Sequence, residues 1–391
     1  MGKKYDVMYI EGPGDIVESF CRWSNKEDLL TETSRTYSGQ LFDFCSEKKL
    51  KAYIVSFHHK KRVKVTSNFY VENRPKTIFG KGVLYHLSQI VYGLKIVVLA
   101  VRHRPKYLDV TSGVTYWFML SPLNLFGIKI VPHMHNCLWP PGFPPTGLIR
   151  QVLSKLDGWF FRRIATMSIC VSPAIQQQIE LVAGEGSRPV YQFRPLFYRK
   201  DFASTPLPIP HNEKPFKIVF AGRVERNKGV FDLLEIAEQL KDEDMIIEIN
   251  GDGGALEELI QVSEHKGLND IVTINGNLER PQLLKAYASA HIVIVPTRSD
   301  FDEGLAKVAV EAILLNRPVI CSSVVPAVDV LHGAVVSVAA DQIEGYAQCI
   351  RKLMFDEDYY LSLCQSCEPL KEQFLDGSTG LSPLLGKILD F

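Results

Sequence analysis

Short runs of β-branched and aromatic residues alternate along this chain with stretches whose apolar positions recur at helical spacing, the pattern of parallel sheets covered by helices. In the first half the runs predict strands at Tyr5–Ile10, Ala52–Phe57, Tyr107–Thr111, Lys129–Pro132, Ser168–Val171 and Val190–Phe193, with helices filling the gaps. Between Tyr198 and Pro215, four prolines among polar residues stop any regular element. Beyond that break the alternation restarts, with strands at Phe216–Phe220, Met245–Asn250, Ile271–Ile274, Ile292–Val295 and Val319–Cys321. Helices are expected at Val230–Leu240, Ala255–Lys266, Pro281–Ala288 and Leu305–Leu315.

The fold class is therefore α/β. Residues 1–200 and 216–391 are read as two Rossmann-like domains facing each other across a cleft, joined by a linker at 201–215, with the last helices free to pack back on the first domain. A length of 391 residues exceeds what one core usually supports. Ligands of open α/β sheets sit at the carboxyl ends of the strands, so residues there carry most weight.

Net charge is zero, but residues 1–200 carry +14 and residues 201–391 carry −14. The first half is thus suited to something anionic, a membrane surface or a phosphorylated acceptor. The stretch Gly82 to Arg104 is strongly apolar, yet His86, Gln89 and Lys95 interrupt it; it reads as a buried helix or an interfacial one rather than a span. Met1 to Asp6 runs straight into a strand pattern, with no signal-peptide apolar region in view. Eight scattered cysteines fit a reducing cytoplasm, and Cys364/Cys367 lack a second pair or His to complete a zinc set.

The first strand of the second half opens into Gly222-Arg223-Val224-Glu225-Arg226-Asn227-Lys228-Gly229 just before a helix, a turn whose amides and two cations suit a diphosphate or form a charged surface loop. A second segment, Asp302-Glu303-Gly304-Leu305-Ala306-Lys307-Val308-Ala309-Val310-Glu311, follows Ile292–Val295. It is expected to put Glu303 at a helix start and Glu311 two turns within, so that two carboxylates grip opposite ends of one ligand or merely cap and solvate a helix.

Together these segments resemble glycosyltransferase family 4. The likeness runs through AGRVERNKGVFDLLEIAEQL, EINGDGGALEELI, INGNLERPQLLKAYASAHIVIVPT and DEGLAKVAVEAILLNRPVICS, in the family's order and spacing, with its R-x4-K and E-x7-E pairs. The resemblance implies the GT-B fold and a retaining transferase that uses a nucleotide sugar without a metal or other cofactor. By it, Arg223 and Lys228 hold the donor diphosphate, Glu311 the ribose and Glu303 the transferred sugar, with Gly222, Gly304, Leu305 and Ala306 beside them. Gly251-Asp252-Gly253 resembles the nucleotide-side loop, and Asn275-Gly276-Asn277 the segment near the base. Leu305 and Ala306 replace the family's usual aromatic and glycine, and Ser322-Ser323 a frequent Gly-Gly turn, so donor identity stays open.

In the first half, Gly12-Pro13-Gly14 falls where members place a loop near the donor, though a plain turn explains it as well. His135 matches the family's active-site His, whose expected role is to stabilise charge or orient a donor hydroxyl; packing or half a metal site with His133 are alternatives. Acceptor candidates are Ser38, at a helix start and otherwise a cap; Trp139 and Phe143 on a proline-rich loop, which could equally fold back on their own domain; and Lys60 and Arg62 in a basic run that faces an anionic acceptor or lipid surface or is a solvated loop. Asp300/Asp302 is the one Asp-x-Asp triplet positioned for metal ligation.

The expected activity is transfer to a glycan or lipid-phosphate-linked acceptor in cell-surface polysaccharide or glycolipid synthesis. The expected site is the cytoplasm or, peripherally, the inner face of a membrane; nucleic acid is not an expected partner. Alternatives are a sugar-nucleotide epimerase or phosphorylase on the same fold, or a non-catalytic sugar-nucleotide-binding protein.

Overall fold

The computed structural model describes residues 5–27, 32–76, 83–111, 114, 116–203 and 207–391. The first lobe contributes β1 (Val7–Ile10), β2 (Ala52–Ser56), β3 (Arg62–Val65), β4 (Phe69–Asn73), β5 (Tyr107–Val110), β6 (Lys129–Met134), β7 (Ser168–Cys170) and β8 (Val190–Gln192). They lie in the order β3-β4-β2-β1-β5-β6-β7-β8, parallel except for β3. Strands β1 and β5 are buried at every position, as strands covered on both faces must be.

Crossovers fix which helix covers which face. The chain leaves β1 for β2 in one direction through α1 (Ile16–Asn25) and α2 (Tyr37–Glu47), and runs from β4 to β8 in the other. Right-handed connections therefore put α3 (Val83–His103), the 3-10 segment Trp117–Phe126, α4 (Leu148–Arg163) and α5 (Pro173–Ala183) together on the opposite face. Along that face α3 touches the 3-10 segment, the segment touches α4, and α4 touches α5.

The hairpin β3–β4 is absent from the sequence reading, and the basic run expected as a loop is in part this edge strand. All four β3 residues are exposed, so no covered face imprints a hydrophobic pattern on them. The apolar stretch expected at Gly82 to Arg104 forms α3 from Val83; Gly82 lies outside the described residues.

The second lobe is an all-parallel sheet of β9 (Phe216–Ala221), β10 (Met245–Asn250), β11 (Val272–Gly276), β12 (Ile292–Val295), β13 (Val319–Ser322) and β14 (Val335–Val338), in the order β11-β10-β9-β12-β13-β14. Its helices are α6 (Val230–Gln239), α7 (Leu256–His265), α8 (Arg280–Ala288), α9 (Lys307–Leu314), α10 (Ala327–Val330), α11 (Ile343–Phe355) and α12 (Glu357–Gln365). Helices α13 (Glu372–Leu375) and α14 (Leu381–Ile388) return to the first lobe: the Leu381 amide donates to Gln40 Oε1 at 2.8 Å, and Lys129 pairs with Asp390 at 3.0 Å.

The inter-lobe connection is pinned to the second lobe. The fully buried Arg317 guanidinium donates to the carbonyls of Leu207, Tyr287 and Ala288, and His291 meets the Pro210 carbonyl at 3.2 Å. Residues 204–206 of that connection lie outside the described residues.

Candidate functional site

Between the lobes, at the carboxyl ends of β9, β10 and β12, lies a cavity of about 720 Å³. It sits at the point where strand order reverses about β9, the position such sheets offer to ligands. Lining it are Gly222, Arg223, Lys228, Gly251, Asn277, Glu303, Ala306 and Glu311, all singled out from sequence, together with Thr33, Tyr287 and Lys307.

Lys228 Nζ stands 2.5 Å from Glu303 Oε2, both side chains mostly buried, and Thr297 donates to the same oxygen at 3.3 Å. Phe301 supports the cations: Lys228 Nζ lies 3.9 Å and Arg223 Cζ 5.4 Å from its ring centroid. Arg223 is half exposed and pairs with Glu225 at 3.0 Å.

Glu303 is not at a helix start. Helix α9 begins only at Lys307, after Ala306 at φ 62°, so the Glu303–Glu311 spacing is part loop and part helix. The loop is tied across the lobes: the Cys137 amide donates to the Glu303 carbonyl at 3.0 Å. A Cβ on Gly304 would sit 1.7 Å from the His135 carbonyl oxygen, so only glycine lets the two chains approach there.

Glu311 is 5% exposed and its two oxygens are occupied. Tyr287 donates to one at 2.9 Å and the Thr33 hydroxyl, from the first lobe, to the other; burial raises the carboxyl above its usual range. Beside it, Lys307 reaches Ser34 at 3.0 Å and Glu32 at 3.3 Å. Thr33, Tyr287 and Phe301 escape the sequence reading: Tyr287 lies within a segment of the family likeness and Phe301 between Asp300 and Asp302, but neither carries a local signal, and each of the three acts through a contact distant in sequence.

The glycine turns brace the cavity. Gly251, at φ 146°, would place a Cβ 1.8 Å from the Gly222 carbonyl oxygen, and a Cβ on Gly253 would lie 2.4 Å from that of Val224. The Gly251 amide donates to Gly276 at 2.7 Å, and Asn275 donates to Asn250 Oδ1 at 2.9 Å. Leu305 is buried at 4% exposure.

His135 is half-buried behind this wall, its ring edge-on to Tyr37 at 4.3 Å and 4.4 Å from His133. Burial, then His133 and Lys307, depress it well below the ordinary imidazole range, leaving a neutral ring whose Nε2 is buried without a partner among the described residues. His133 is pushed down to about 3 by burial and meets Asp109 Oδ1 at 3.2 Å, the Asp109 carboxyl being raised by its own burial.

Other first-lobe candidates stand apart from the cavity. The Gly12 carbonyl accepts from the Phe57 amide at 3.3 Å and Gly14 faces open space, so the pair makes a turn. Ser38 is buried in the first turn of α2. Trp139 is partly buried; Gln178 donates to its backbone carbonyl at 2.8 Å, and it lines a shallow pocket together with residues of α4 and α5. Arg62 is exposed and pairs with Asp15 at 3.1 Å and Glu18 at 3.2 Å; Lys60 and Phe143 are exposed. Among the described residues, no group of three His, Cys, Asp or Glu side chains converges on a metal position, Asp300 and Asp302 included.

Residues 204–369 match the family described as glycosyl transferases group 1. A D-inositol 3-phosphate glycosyltransferase of Catenulispora acidiphila is 31% identical over 219 residues, 49% of this chain and 50% of that protein. The Bacillus subtilis protein TuaC, a putative teichuronic acid biosynthesis glycosyltransferase, is 36% identical over 106 residues, 27% of this chain and 24% of that one. The chain thus aligns with about half the length, or less, of these relatives. Anabaena Alr3699/HepE in complex with UDP superposes with a TM-score of 0.65 at 16% identity, covering 98% of each chain. The sucrose-phosphate synthase of Thermosynechococcus elongatus gives 0.68 at 16% identity, covering 98% of this chain and 97% of that one. With two facing α/β lobes the chain has the GT-B fold, and its residues 204–369, less than half of its length, are similar to the glycosyl transferases group 1 family.

Proposed function

We propose that the protein is a retaining glycosyltransferase that moves a sugar from a nucleoside-diphosphate sugar to a glycan or lipid-phosphate-linked acceptor. The observation that carries this reading is the Lys228–Glu303 pair in one cavity with Arg223 and the buried Glu311. A diphosphate entering beside Lys228 and Arg223 meets preorganised positive charge and the amide end of α9. Glu303 then faces the sugar and Glu311 the ribose.

In the transfer step, the bond from the sugar's anomeric carbon to the diphosphate oxygen breaks and its electrons pass to the diphosphate. The acceptor oxygen bonds to that carbon from the same face, and its proton goes to the departing phosphate. Cation charge from Arg223 and Lys228 stabilises the leaving group without a call on a metal. Neutral His135 packs behind the carbonyl that seats Gly304 and so positions the Glu303 loop.

The UDP complex of the Anabaena neighbour makes uridine nucleotides the first donors to test, and the relatives' names point to a phosphorylated or cell-surface acceptor. The proposed work lies at the cytoplasmic face of a membrane, in polysaccharide or glycolipid synthesis. Thermal-shift screening against a nucleotide-sugar panel, followed by product analysis with and without chelator, tests the reading. Nucleoside diphosphate plus an α-glycoside from an α-linked donor is expected. Altered free donor or phosphate-dependent cleavage would replace transfer by epimerisation or phosphorolysis, and absence of any donor shift would remove it.

A further inference from the structure

Helices laid on a sheet normally bury one stripe and turn a polar stripe to water. The inner stripe of α3 follows that rule, with Tyr92, Ile96, Leu99 and Ala100 buried. Its outer stripe does not. Leu84, Leu87, Val91, Leu94 and Val98, at spacings of three and four, are 49–65% exposed.

Helix α4 repeats the anomaly. Leu148, Ile149, Val152, Leu156 and Trp159 form its outer stripe, from 40% to 82% exposed. Leu125 and Phe126, at the end of the 3-10 segment packed between the two helices, are exposed at 87% and 48%. Three neighbouring elements on one face of one sheet thus turn apolar side chains outward, far beyond the scattered exposure ordinary for a soluble surface.

The polar residues of this layer have one sign. Residues 83–163 contain nine Lys and Arg but two acids. Asp109 is buried, and Asp157 turns inward to accept the Phe118 amide at 3.0 Å. Lys95 and Arg102 on α3 and Arg150, Lys155 and Arg163 on α4 are exposed beside the apolar stripes. A hydrophobic face flanked by cations matches the acyl boundary and the charge of an anionic bilayer, and complements no acidic surface on this layer itself.

We propose that the outer face of α3, the Trp117–Phe126 segment and α4 docks the protein on an anionic lipid bilayer. Both helices follow the carboxyl ends of strands, so their first turns lie at the cleft rim. The loop entering α4 touches Glu303 through Cys137. Docking on this face holds the cleft opening beside the lipid surface, where a lipid-linked acceptor is delivered. The surface gives the proposed lipid-linked acceptor its route, but the docking itself stands apart from the transfer chemistry.

The test is co-sedimentation of the full chain with phosphatidylcholine vesicles, with and without phosphatidylglycerol. Binding is expected only with the anionic lipid. V91Q/V98Q and L148Q/I149Q/V152Q should each weaken partitioning at least ~10-fold, and R150E/K155E should abolish the lipid preference. Unchanged donor-induced thermal shift in the variants shows that they fold and separates this question from the donor reading. In the native chain, brominated lipid should quench fluorescence that W159F lacks, which tests the surface without disturbing its apolar stripes. Wild-type protein remaining in the supernatant, or stripe variants that bind undiminished, would overturn the proposal. A concentration-dependent dimer that these variants convert to monomer would assign the face to a second copy instead.

Discussion

The two lobes are built by the same rules and differ most on their outer helical layers. In the first lobe, α3 and α4 carry apolar side chains on both their buried and their exposed sides. In the second, α7 exposes Glu257, Glu258 and Glu264, and among the described residues of 216–391 the exposed large apolar side chains are Ile260, Phe355 and Phe391. Inner faces are constrained by packing against a sheet; outer faces are constrained only by what surrounds them. The +14 and −14 halves follow the same division. The second lobe carries the proposed chemistry, and the first lobe carries the proposed placement.

Kinetics should separate these roles most sharply. E303Q or K228M should lower kcat/KM with a water-soluble acceptor by on the order of 10²- to 10³-fold, the scale of losing a preorganised electrostatic contact. Outer-face changes such as V91Q/V98Q should leave that value within about twofold, since surface substitutions away from a site change little. Equal losses from both sets would dissolve the division between chemistry and placement.

A second break falls on the seam. Because the added Cβ of G304A would sit 1.7 Å from the His135 carbonyl, the lobes must separate locally or the Glu303 loop must shift. The expected cost is about 1–3 kcal/mol of stability and a large loss of kcat, read by denaturation and steady-state assay. A variant as stable and active as wild type would show that the seam is not needed for the active arrangement.

The third difference concerns pH. Burial raises the Asp157 carboxyl to about 7 inside the first lobe. A carboxyl raised in the folded state contributes stability that is fully present below the unfolded pKa and lost as pH rises through about 7. Melting temperature should therefore fall from pH 6 to pH 8, by on the order of 2 kcal/mol of stability. D157N keeps an oxygen for the Phe118 amide and should make the fall shallower, the remainder coming from Glu11, which burial also raises to about 7; a fall as steep as in wild type would show that Asp157 does not contribute.

Legibility in the sequence also divided between the lobes. Arg223, Lys228, Glu303 and Glu311 are readable because they stand in the R-x4-K and E-x7-E pairs of the family that the chain resembles, and all four line the cavity. Local pattern extends the helix back to Glu303 because the contacts that keep this segment out of the helix, from Cys137 and against Gly304, come from across the cleft. In the first lobe, β3 leaves no pattern because nothing covers it, and the sequence leaves Trp139 open between exposure and folding back because its surroundings, such as the bond from Gln178 to its carbonyl, come from residues distant in sequence. The apolar run of α3 was legible as a helix, but which half of it would stay uncovered was not.

The smallest expected effect concerns the contact by which the first lobe intrudes on the second. Thr33 donates to a Glu311 oxygen, the position a ribose hydroxyl takes in the proposed complex. If the two compete, the donor must displace one hydrogen bond, a net cost of about 0.5–1.5 kcal/mol. T33V removes the competitor while Tyr287 still serves the other oxygen, so donor KM should fall about 2- to 10-fold with kcat nearly unchanged. A rise in KM would instead mean that Thr33 stays to share Glu311 with the ribose, making the first lobe part of the donor site rather than its gate.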